Sequence, residues 1–292
     1  MKKRLAFVLG GGGGRGALQV GALRALLEAG YKPDVLVGTS AGAINVAYLA
    51  LRGIDLNGIA ALESAWLEAA KLNLYPSNYL WLSVRTLFNR PTGTVYHRVM
   101  DFFISQGVTR ELRFKDVGGV QLYLVAADLN SGVPMIFGQN PEDPILEGLL
   151  ASTALPPWVT PIQRPGQLLI DGGAISNLPI EPALSQGATD IIALDIRDFR
   201  DVTSEMQGFG PFLAKLLGTV ENRQVEMELE LAAARRIRVR RVHLQWIDPV
   251  PLWDFTHSAD LIQHGYQVMK GEIRSWQPEK LPWWTKWGKK AD

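Results

Sequence analysis

The sequence contains no cysteine, which excludes disulfide bonds, thiol nucleophiles and thiolate metal ligands. It also lacks any run of about 18 apolar residues, the length that a transmembrane helix needs. Neither sign of charge is in excess, because 30 Lys and Arg balance 29 Asp and Glu. The apolar stretch Leu5–Leu9 is shorter than the apolar region of a secretory signal, which is about 7–15 residues long. We therefore expect a cytoplasmic protein that has no nucleic-acid partner.

What the chain does have is an alternation of short apolar runs and helical segments. Leu5–Leu9 and a second run at residues 35–37 are typical of strands buried on both faces of a sheet. The segment from Gly16 to Gly30 carries apolar residues at helical spacing and ends in a glycine suited to cap a helix. Together these form a βαβ unit, which predicts parallel strands joined by a right-handed crossover.

The same pattern extends over most of the chain. Further strands are predicted at residues 121–126, 133–137, 168–170, 191–195 and 236–246, and further helices at residues 41–51, 211–235 and 258–276. No internal repeat or low-complexity linker divides the sequence. We expect one α/β domain over residues 1–276, a three-layer α/β/α arrangement around a mainly parallel sheet, and a tail over residues 277–292.

The first candidate site is the sequence Gly38-Thr39-Ser40-Ala41-Gly42, which lies directly between a predicted strand and a predicted helix. A tight strand-to-helix turn strains a serine and exposes its hydroxyl, and flanking glycines such as Gly38 and Gly42 avoid clashes. The helix that follows points backbone N–H groups towards a developing oxyanion. Small-residue turns also meet this pattern by chance, but the placement favours Ser40 as a nucleophile.

A second glycine-rich turn, GGGGGRG at residues 10–16, also lies between a predicted strand and a predicted helix. Five consecutive glycines cost backbone entropy, so they indicate a close approach of the backbone to another group. A Walker phosphate loop would need Gly-Lys-Ser/Thr, which this turn does not provide. A dinucleotide site needs the spacing of Gly11, Gly13 and Gly16, but also an acid at the end of the second strand, which is missing.

The preferred interpretation of this turn is an oxyanion hole, in which N–H groups of the glycine loop face Ser40. One such donor typically contributes about 3 kcal/mol to barrier stabilisation. Arg15 has two interpretations: it holds the loop through hydrogen bonds to carbonyl groups, or it binds a lipid phosphate. We favour the first.

A serine nucleophile needs a base. None of the four histidines lies in an obvious strand-end loop with a carboxylate partner; these are His97, His243, His257 and His264. Asp171 does end a predicted strand, and Gly172 and Gly173 free the backbone around its carboxylate. An aspartate in a tight, partly desolvated turn can accept the serine proton directly. From the residues alone, an aspartate that caps its own turn is the more common case.

The motifs GGGGGRG, GTSAG and DGG, in this order, resemble those of the patatin-like phospholipase family, and the similarity extends from Leu5 to Trp276. The resemblance implies a patatin-like fold and cleavage of acyl chains from lipids by a Ser–Asp dyad, with no metal or organic cofactor. It implies that Ser40 is the nucleophile and Asp171 the base. The oxyanion loop implied by the resemblance consists of Gly11, Gly12, Gly13, Gly14 and Arg15.

Two further segments have a structural and a functional interpretation. The first is a run of arginines that either forms a solvated face or attracts anionic lipid head groups. The run consists of Arg235, Arg236, Arg238, Arg240 and Arg241. The irregular aromatic segment over residues 72–94 is either part of the core or an apolar route for acyl chains.

The tail over residues 277–292 combines tryptophan and lysine, the residues that settle at the head-group level of membranes. The residues concerned are Trp283, Trp284 and Trp287 with Lys280, Lys286, Lys289 and Lys290. The tail therefore either makes a peripheral membrane contact or packs against its own domain or an oligomer partner.

Two alternatives to the preferred hypothesis, a serine hydrolase of lipid esters, stay open at this point. A Ser–His–Asp enzyme of the α/β-hydrolase type would combine Ser40 and Asp171 with one of His243, His257 or His264. A nucleotide-binding module would instead use the glycine loop for phosphate.

Overall fold

The computed structural model describes residues 3–72, 93–156, 158–198 and 209–276. Its centre is a sheet of eight strands: β1 Leu5–Leu9, β2 Val35–Thr39, β3 Gln121–Asp128, β4 Val133–Phe137, β5 Ile162–Arg164, β6 Gln167–Asp171, β7 Asp190–Asp195 and β8 Arg238–His243. The strand order is β5-β6-β3-β2-β1-β7-β8, with β4 paired to β3. Strands β3, β2, β1, β7 and β8 are parallel, whereas the pairings of β4, β5 and β6 are antiparallel. The expected mainly parallel sheet is confirmed.

Helices cover both faces of the sheet. In the described residues they are α1 Gly16–Glu28, α2 Ala41–Arg52, α3 Leu56–Leu72, α4 Gly93–Ser105, α5 Ile145–Ser152, α6 Ile180–Ser185, α7 Phe209–Ala234 and α8 Ser258–Trp276. Side chains alternate along β1, so that Phe7 and Leu9 belong to one core and Ala6 and Val8 to the other. The first core is packed by α1, α2, α3, α4, α5 and α8, and the second by α6 and α7. The three-layer α/β/α arrangement is confirmed.

The ends of β2 and β6 meet along one edge of β3. Thr39, the last residue of β2, pairs with Val125, and Asp171, the last residue of β6, pairs with Ala126. Strand β4 pairs with β3 over Leu124 to Asp128 and occupies the opposite edge. Because β2 and β6 run in opposite directions, the chain leaves both strands at the same point of the sheet. This topology brings Ser40 next to Asp171, although 131 positions separate them in the sequence.

Most predicted elements agree with the structure to within a few residues. The predicted strand at residues 236–246 is shorter, because β8 spans only Arg238–His243. Helices α3 to α6 and strand β5 were not predicted from the sequence. Residues 73–92, which include most of the aromatic segment, and the tail over residues 277–292 lie outside the described residues. Among the described helices, none has the length and apolar character needed to cross a membrane.

Candidate active site

Ser40 lies in the sharp turn between β2 and α2. Its backbone angles, φ 54° and ψ −122°, are ones that residues other than glycine rarely adopt. A Cβ atom at Gly38 would lie 2.4 Å from the carbonyl oxygen of Gly42, and one at Gly42 would lie 2.1 Å from that of Leu9. Close packing of the turn therefore requires both glycines. Ser40 itself stays partly exposed.

Ser152, at the end of α5, fixes the backbone of this turn. Its Oγ accepts a hydrogen bond from the Ser40 N–H at 2.9 Å and donates one to the carbonyl oxygen of Val125 at 2.6 Å. Val125 pairs with Thr39, so the hydroxyl of Ser152 links the neighbouring strand to the turn. No local sequence pattern indicates this role of Ser152, because the contact joins residues 112 positions apart.

Asp171 ends β6 and begins the short turn that contains Gly172 and Gly173. The Gly173 N–H donates a hydrogen bond to Asp171 Oδ1 at 2.8 Å, and the residue is only 5% exposed. Burial raises the pKa of Asp171 to about 6, although the nearby Ser40 hydroxyl and the Gly173 N–H both favour the ionised carboxylate. At neutral pH the carboxylate is therefore mostly ionised, and it is more basic than an ordinary aspartate.

The glycine loop packs closely against the rest of the protein. A Cβ atom at Gly11 would lie 3.0 Å from the Cβ of Ser40, and one at Gly14 would lie 2.0 Å from the carbonyl oxygen of Asp254. The close approach that the five glycines predict is thus an approach to other parts of the chain, including the serine turn. The structure brings the glycine loop and Ser40 together.

Only part of the glycine loop has N–H groups available. The N–H groups of Gly11, Gly14 and Arg15 donate to carbonyl oxygens of Asn177, Leu252 and Gly12 respectively. Within the described residues, the N–H groups of Gly12 and Gly13 have no acceptor, and both residues are half-buried. These two N–H groups are the ones that an oxyanion could use.

Buried polar side chains hold both ends of this loop. Gln19 Nε2 donates to the carbonyl oxygen of Gly10 at 2.8 Å. Asn45 Nδ2 donates to the carbonyl oxygen of Gly16 at 3.0 Å and to Gln19 Oε1 at 2.9 Å. Because Asn45 belongs to the helix that begins after Ser40, this network fixes the loop relative to the serine. Neither residue was predicted from the sequence, where their polar character within apolar helices was the available signal.

Arg15 is 8% exposed, and its Nε donates to the carbonyl oxygen of Gly12 at 3.2 Å. This contact agrees with the interpretation that Arg15 holds the loop. The later arginine run also has partners within the fold. Arg238 and Arg240 form ion pairs with Asp190, and Arg241 forms ion pairs with Asp195 and Glu226. For these three arginines, the pairs favour the structural interpretation over an attraction for head groups.

The four histidines make contacts away from Ser40 and Asp171. The ring of His243 is 2.8 Å from the carbonyl oxygen of Arg197, and that of His264 is 2.9 Å from the carbonyl oxygen of Gln245. His257 lies 3.6 Å from Asp254, and His97 packs against Tyr96. Among the described residues, no imidazole influences the pKa of Asp171. The geometry therefore offers no support for a Ser–His–Asp triad.

Asn177 is a further side chain at this site that sequence analysis missed. A Cβ atom at Gly11 would lie 2.4 Å from Asn177 Oδ1, and one at Gly173 would lie 3.1 Å from the same atom. The residue is 5% exposed, and its amide has no hydrogen-bond partner among the described residues. The side-chain amide thus lies between the glycine loop and the Asp171 turn.

Helix α7 supports the chain that follows Asp171. Gln224 Nε2 donates to the carbonyl oxygen of Ala174 at 2.9 Å, and Glu228 accepts a hydrogen bond from Ser176 Oγ at 2.6 Å. Glu221 lies one turn earlier on the same face of α7, and burial raises its pKa to about 7. The charges of Arg197 and Arg15 lower this pKa, whereas the charge of Asp171 raises it further. A second titratable carboxyl group therefore lies within electrostatic range of Asp171. In the described part of the chain, no group of three or more His, Asp or Glu side chains is arranged to hold a metal ion.

Comparison with known proteins identifies relatives that are named phospholipases or lysophospholipases. The chain is 31% identical to patatin-like phospholipase domain-containing protein 7 of Mus musculus over 205 residues. This aligned region covers 68% of this chain and 14% of the relative. The chain is also 30% identical to lysophospholipase nte1 of Aspergillus terreus over 229 residues, and this aligned region covers 75% of this chain and 13% of that protein. The chain thus spans about one-seventh of the length of these relatives.

Among solved structures, VipD from Legionella pneumophila is similar with a TM-score of 0.47 and 14% identity, over 94% of this chain and 67% of that one. The family model for patatin-like phospholipase matches residues 7–184, more than half of the chain. This match contains the glycine loop, Ser40 and Asp171. The chain therefore belongs to the patatin-like phospholipase family.

Proposed function

We propose that this chain is a serine hydrolase that cleaves acyl chains from lipid esters, with Ser40 as nucleophile and Asp171 as general base. The observation that carries the proposal is the junction of β2 and β6, where a strained, partly exposed serine faces a buried carboxylate. A general base works best when its pKa lies near the working pH, and the pKa of Asp171 is raised to about 6. Membership of the family supports ester hydrolysis.

In the first half-reaction, Asp171 accepts the hydroxyl proton of Ser40 while Oγ forms a bond to the ester carbonyl carbon. The N–H groups of Gly12 and Gly13 stabilise the negative charge that develops on the carbonyl oxygen. Asp171 then passes the proton to the leaving oxygen as the ester C–O bond breaks. The products of this step are an acyl group on Ser40 and a free alcohol.

In the second half-reaction, water replaces the alcohol. Asp171 accepts a proton from the water, whose oxygen attacks the acyl carbonyl, and the same two N–H groups again stabilise the oxyanion. The bond to Ser40 Oγ breaks, Oγ recovers the proton from Asp171, and a free fatty acid leaves. The cycle needs no histidine, because the carboxylate carries the proton in both steps.

Lipids are the proposed substrate class on two grounds. The Aspergillus relative is named a lysophospholipase, and the mouse relative carries phospholipase in its name. In addition, an apolar cleft lies beside the serine turn, between α2, α3 and α4. We also propose that the tail makes a peripheral membrane contact through Trp283, Trp284 and Trp287, which is supported by its combination of tryptophan and lysine.

Hydrolysis of a short p-nitrophenyl ester tests this proposal. Ser40→Ala and Asp171→Asn should each lower kcat by about a thousandfold or more, because the groups act as one unit. Ser64→Ala, an exposed serine on α3, is the matched control and should keep the wild-type rate. Wild-type hydrolysis by folded Ser40→Ala protein would show that Ser40 is not the nucleophile.

A further inference from the structure

An apolar cleft lies on the α2 side of the sheet and is bounded by α2, α3, α4 and α5. It is partly open to solvent. Of the described residues that line it, all but Gln106 have an apolar or aromatic side chain. A cleft with this lining fits a hydrocarbon chain and offers almost nothing to a charged head group.

One end of the cleft adjoins the active site through α2 and α5. Ile44 lines the cleft one turn along α2 from Ser40, and its N–H donates to the Ser40 carbonyl oxygen at 3.2 Å. Leu149 lines the cleft from α5, one turn before Ser152, whose hydroxyl accepts the Ser40 N–H.

The glycine loop borders the same end of the cleft. Trp66 and Phe255, which both line the cleft, stack with ring centroids 5.6 Å apart. A Cβ atom at Gly16 would lie 2.7 Å from the Trp66 ring, so the aromatic pair lies against the end of the glycine loop. The nucleophile turn, its support at Ser152 and the oxyanion loop thus all adjoin one cleft.

Hydrogen-bonded polar side chains line the other end of the cleft. Tyr48 lines the cleft two turns along α2 from Ser40, at about 12 Å for the rise of an α-helix. Its hydroxyl donates to Gln106 Oε1 at 3.2 Å, and Gln106 Nε2 donates to Glu68 Oε2 at 2.9 Å. A methyl group pushed into this network would separate polar partners, which makes further extension of a chain unfavourable.

We propose that this cleft binds the acyl chain of the substrate and that the Tyr48–Gln106 pair sets the preferred chain length. The ester carbonyl would lie at Ser40 and the chain would run along α2 with its methyl end towards Tyr48. The inference rests on the proposed function for the direction of the chain. Binding of a fatty acid by the cleft does not depend on turnover and is tested separately.

A bulky substitution in the cleft tests whether the cleft binds a fatty acid. In Ser40→Ala protein, which removes turnover, displacement of a fluorescent fatty acid by octanoate should give saturable binding. Adding Ala65→Phe, on the α3 side of the cleft, should weaken octanoate binding by about 10–100-fold. Ala60→Phe, the same change at an exposed position of α3, is the matched control and should bind like the parent. Equal octanoate affinity in all three proteins would overturn the proposal.

Chain-length profiles test the role of Tyr48. In protein that keeps Ser40, p-nitrophenyl esters from butyrate to palmitate are compared by kcat/KM. Tyr48→Ala should raise the palmitate-to-octanoate ratio by about tenfold, whereas Tyr48→Phe keeps the bulk and should shift the ratio less. An unchanged ratio in Tyr48→Ala would overturn the role of Tyr48 in setting chain length. Failure of the proposed function would appear differently, as octanoate binding without hydrolysis of any ester.

Discussion

At the scale of single residues, the proposed chemistry depends on where the fold places one carboxyl group. Asp171 is 5% exposed and receives a hydrogen bond from Gly173, so burial and hydrogen bonding act on its pKa in opposite directions. Burial dominates and raises the pKa to about 6. An ordinary exposed aspartate would be a much weaker base, and a triad would then be needed to accept the serine proton.

The pH dependence of kcat/KM should report this carboxyl group. Only the ionised form of Asp171 can accept the proton, so we expect kcat/KM to fall tenfold per unit below pH about 6. Glu221, with a pKa of about 7, is the competing source of such an inflection. The inflection in kcat/KM should therefore persist in Glu221→Gln. Loss of the inflection in that variant would assign it to Glu221 and contradict the role of Asp171 as the base.

The raised pKa of Asp171 also predicts that its ionised carboxylate destabilises the folded protein. Its pKa is about 6 in the folded chain, against an ordinary value of 3.8 for an aspartate, so the free energy of unfolding falls as the pH rises through this window. Asp171→Asn removes that charge and should raise the free energy of unfolding at pH 8 by about 1–3 kcal/mol. Urea unfolding at pH 8 and pH 4 measures the effect, which should be small at pH 4. Destabilisation at pH 8 would contradict this account.

Residues of the site differ in how far the sequence reveals them. Ser40, Asp171 and the glycines belong to local motifs, because a sharp turn leaves its mark on adjacent positions. Ser152 and Asn177 act across the sheet, and no local pattern predicts which strand ends will meet. Only the structure could single out Gly12 and Gly13 as the proposed oxyanion donors, because tertiary hydrogen bonds occupy the neighbouring N–H groups.

At the scale of elements, the glycine loop owes its shape to helices α1, α2 and α3. Asn45 contacts Gln19 on α1 and the Gly16 carbonyl, and it accepts a hydrogen bond from Trp66 Nε1 of α3 at 2.8 Å. All members of this network lie in the core, so water cannot replace a lost partner without rearrangement. The apolar spacing of α3 was available in the sequence, but the contacts of Trp66 and Asn45 were not.

Asn45→Leu should therefore affect both stability and activity. It leaves three polar groups without their partner, at a cost of about 1–3 kcal/mol for each unsatisfied group. It should also lower kcat/KM for a short ester, because the loop that contains Gly12 and Gly13 loses its tie to α2. Asn57→Leu, at an exposed position of α3, is the control. Urea unfolding and initial rates measure the two effects, and an unchanged rate in folded Asn45→Leu would contradict a role of Asn45 in positioning.

At the scale of the whole molecule, the sheet joins distant parts of the chain into one site. Alternating apolar runs predicted the α/β/α layers well, because burial on both faces of a strand is a local property of sequence. The antiparallel pairing of β6 with β3, which brings Asp171 to Ser40, was not predictable, because it depends on register between segments far apart in the chain.

A membrane contact through the tail is also tested on the whole molecule. Deletion of residues 277–292 should reduce co-sedimentation with anionic liposomes while leaving hydrolysis of a short soluble ester unchanged, because Trp283, Trp284 and Trp287 lie beyond the last described helix. Unchanged co-sedimentation would show that the tail is not the anchor. Attention would then pass to exposed apolar residues of α7: Phe212, Leu216, Leu217 and Val220.

The most direct test of a Ser–Asp dyad is labelling with a fluorophosphonate probe followed by mass spectrometry of the modified peptide. The dyad predicts that the probe modifies Ser40, that Asp171→Asn abolishes labelling, and that His97→Ala, His243→Ala, His257→Ala and His264→Ala each label at the wild-type rate. Loss of labelling in one folded histidine variant, or modification of a serine other than Ser40, would contradict it.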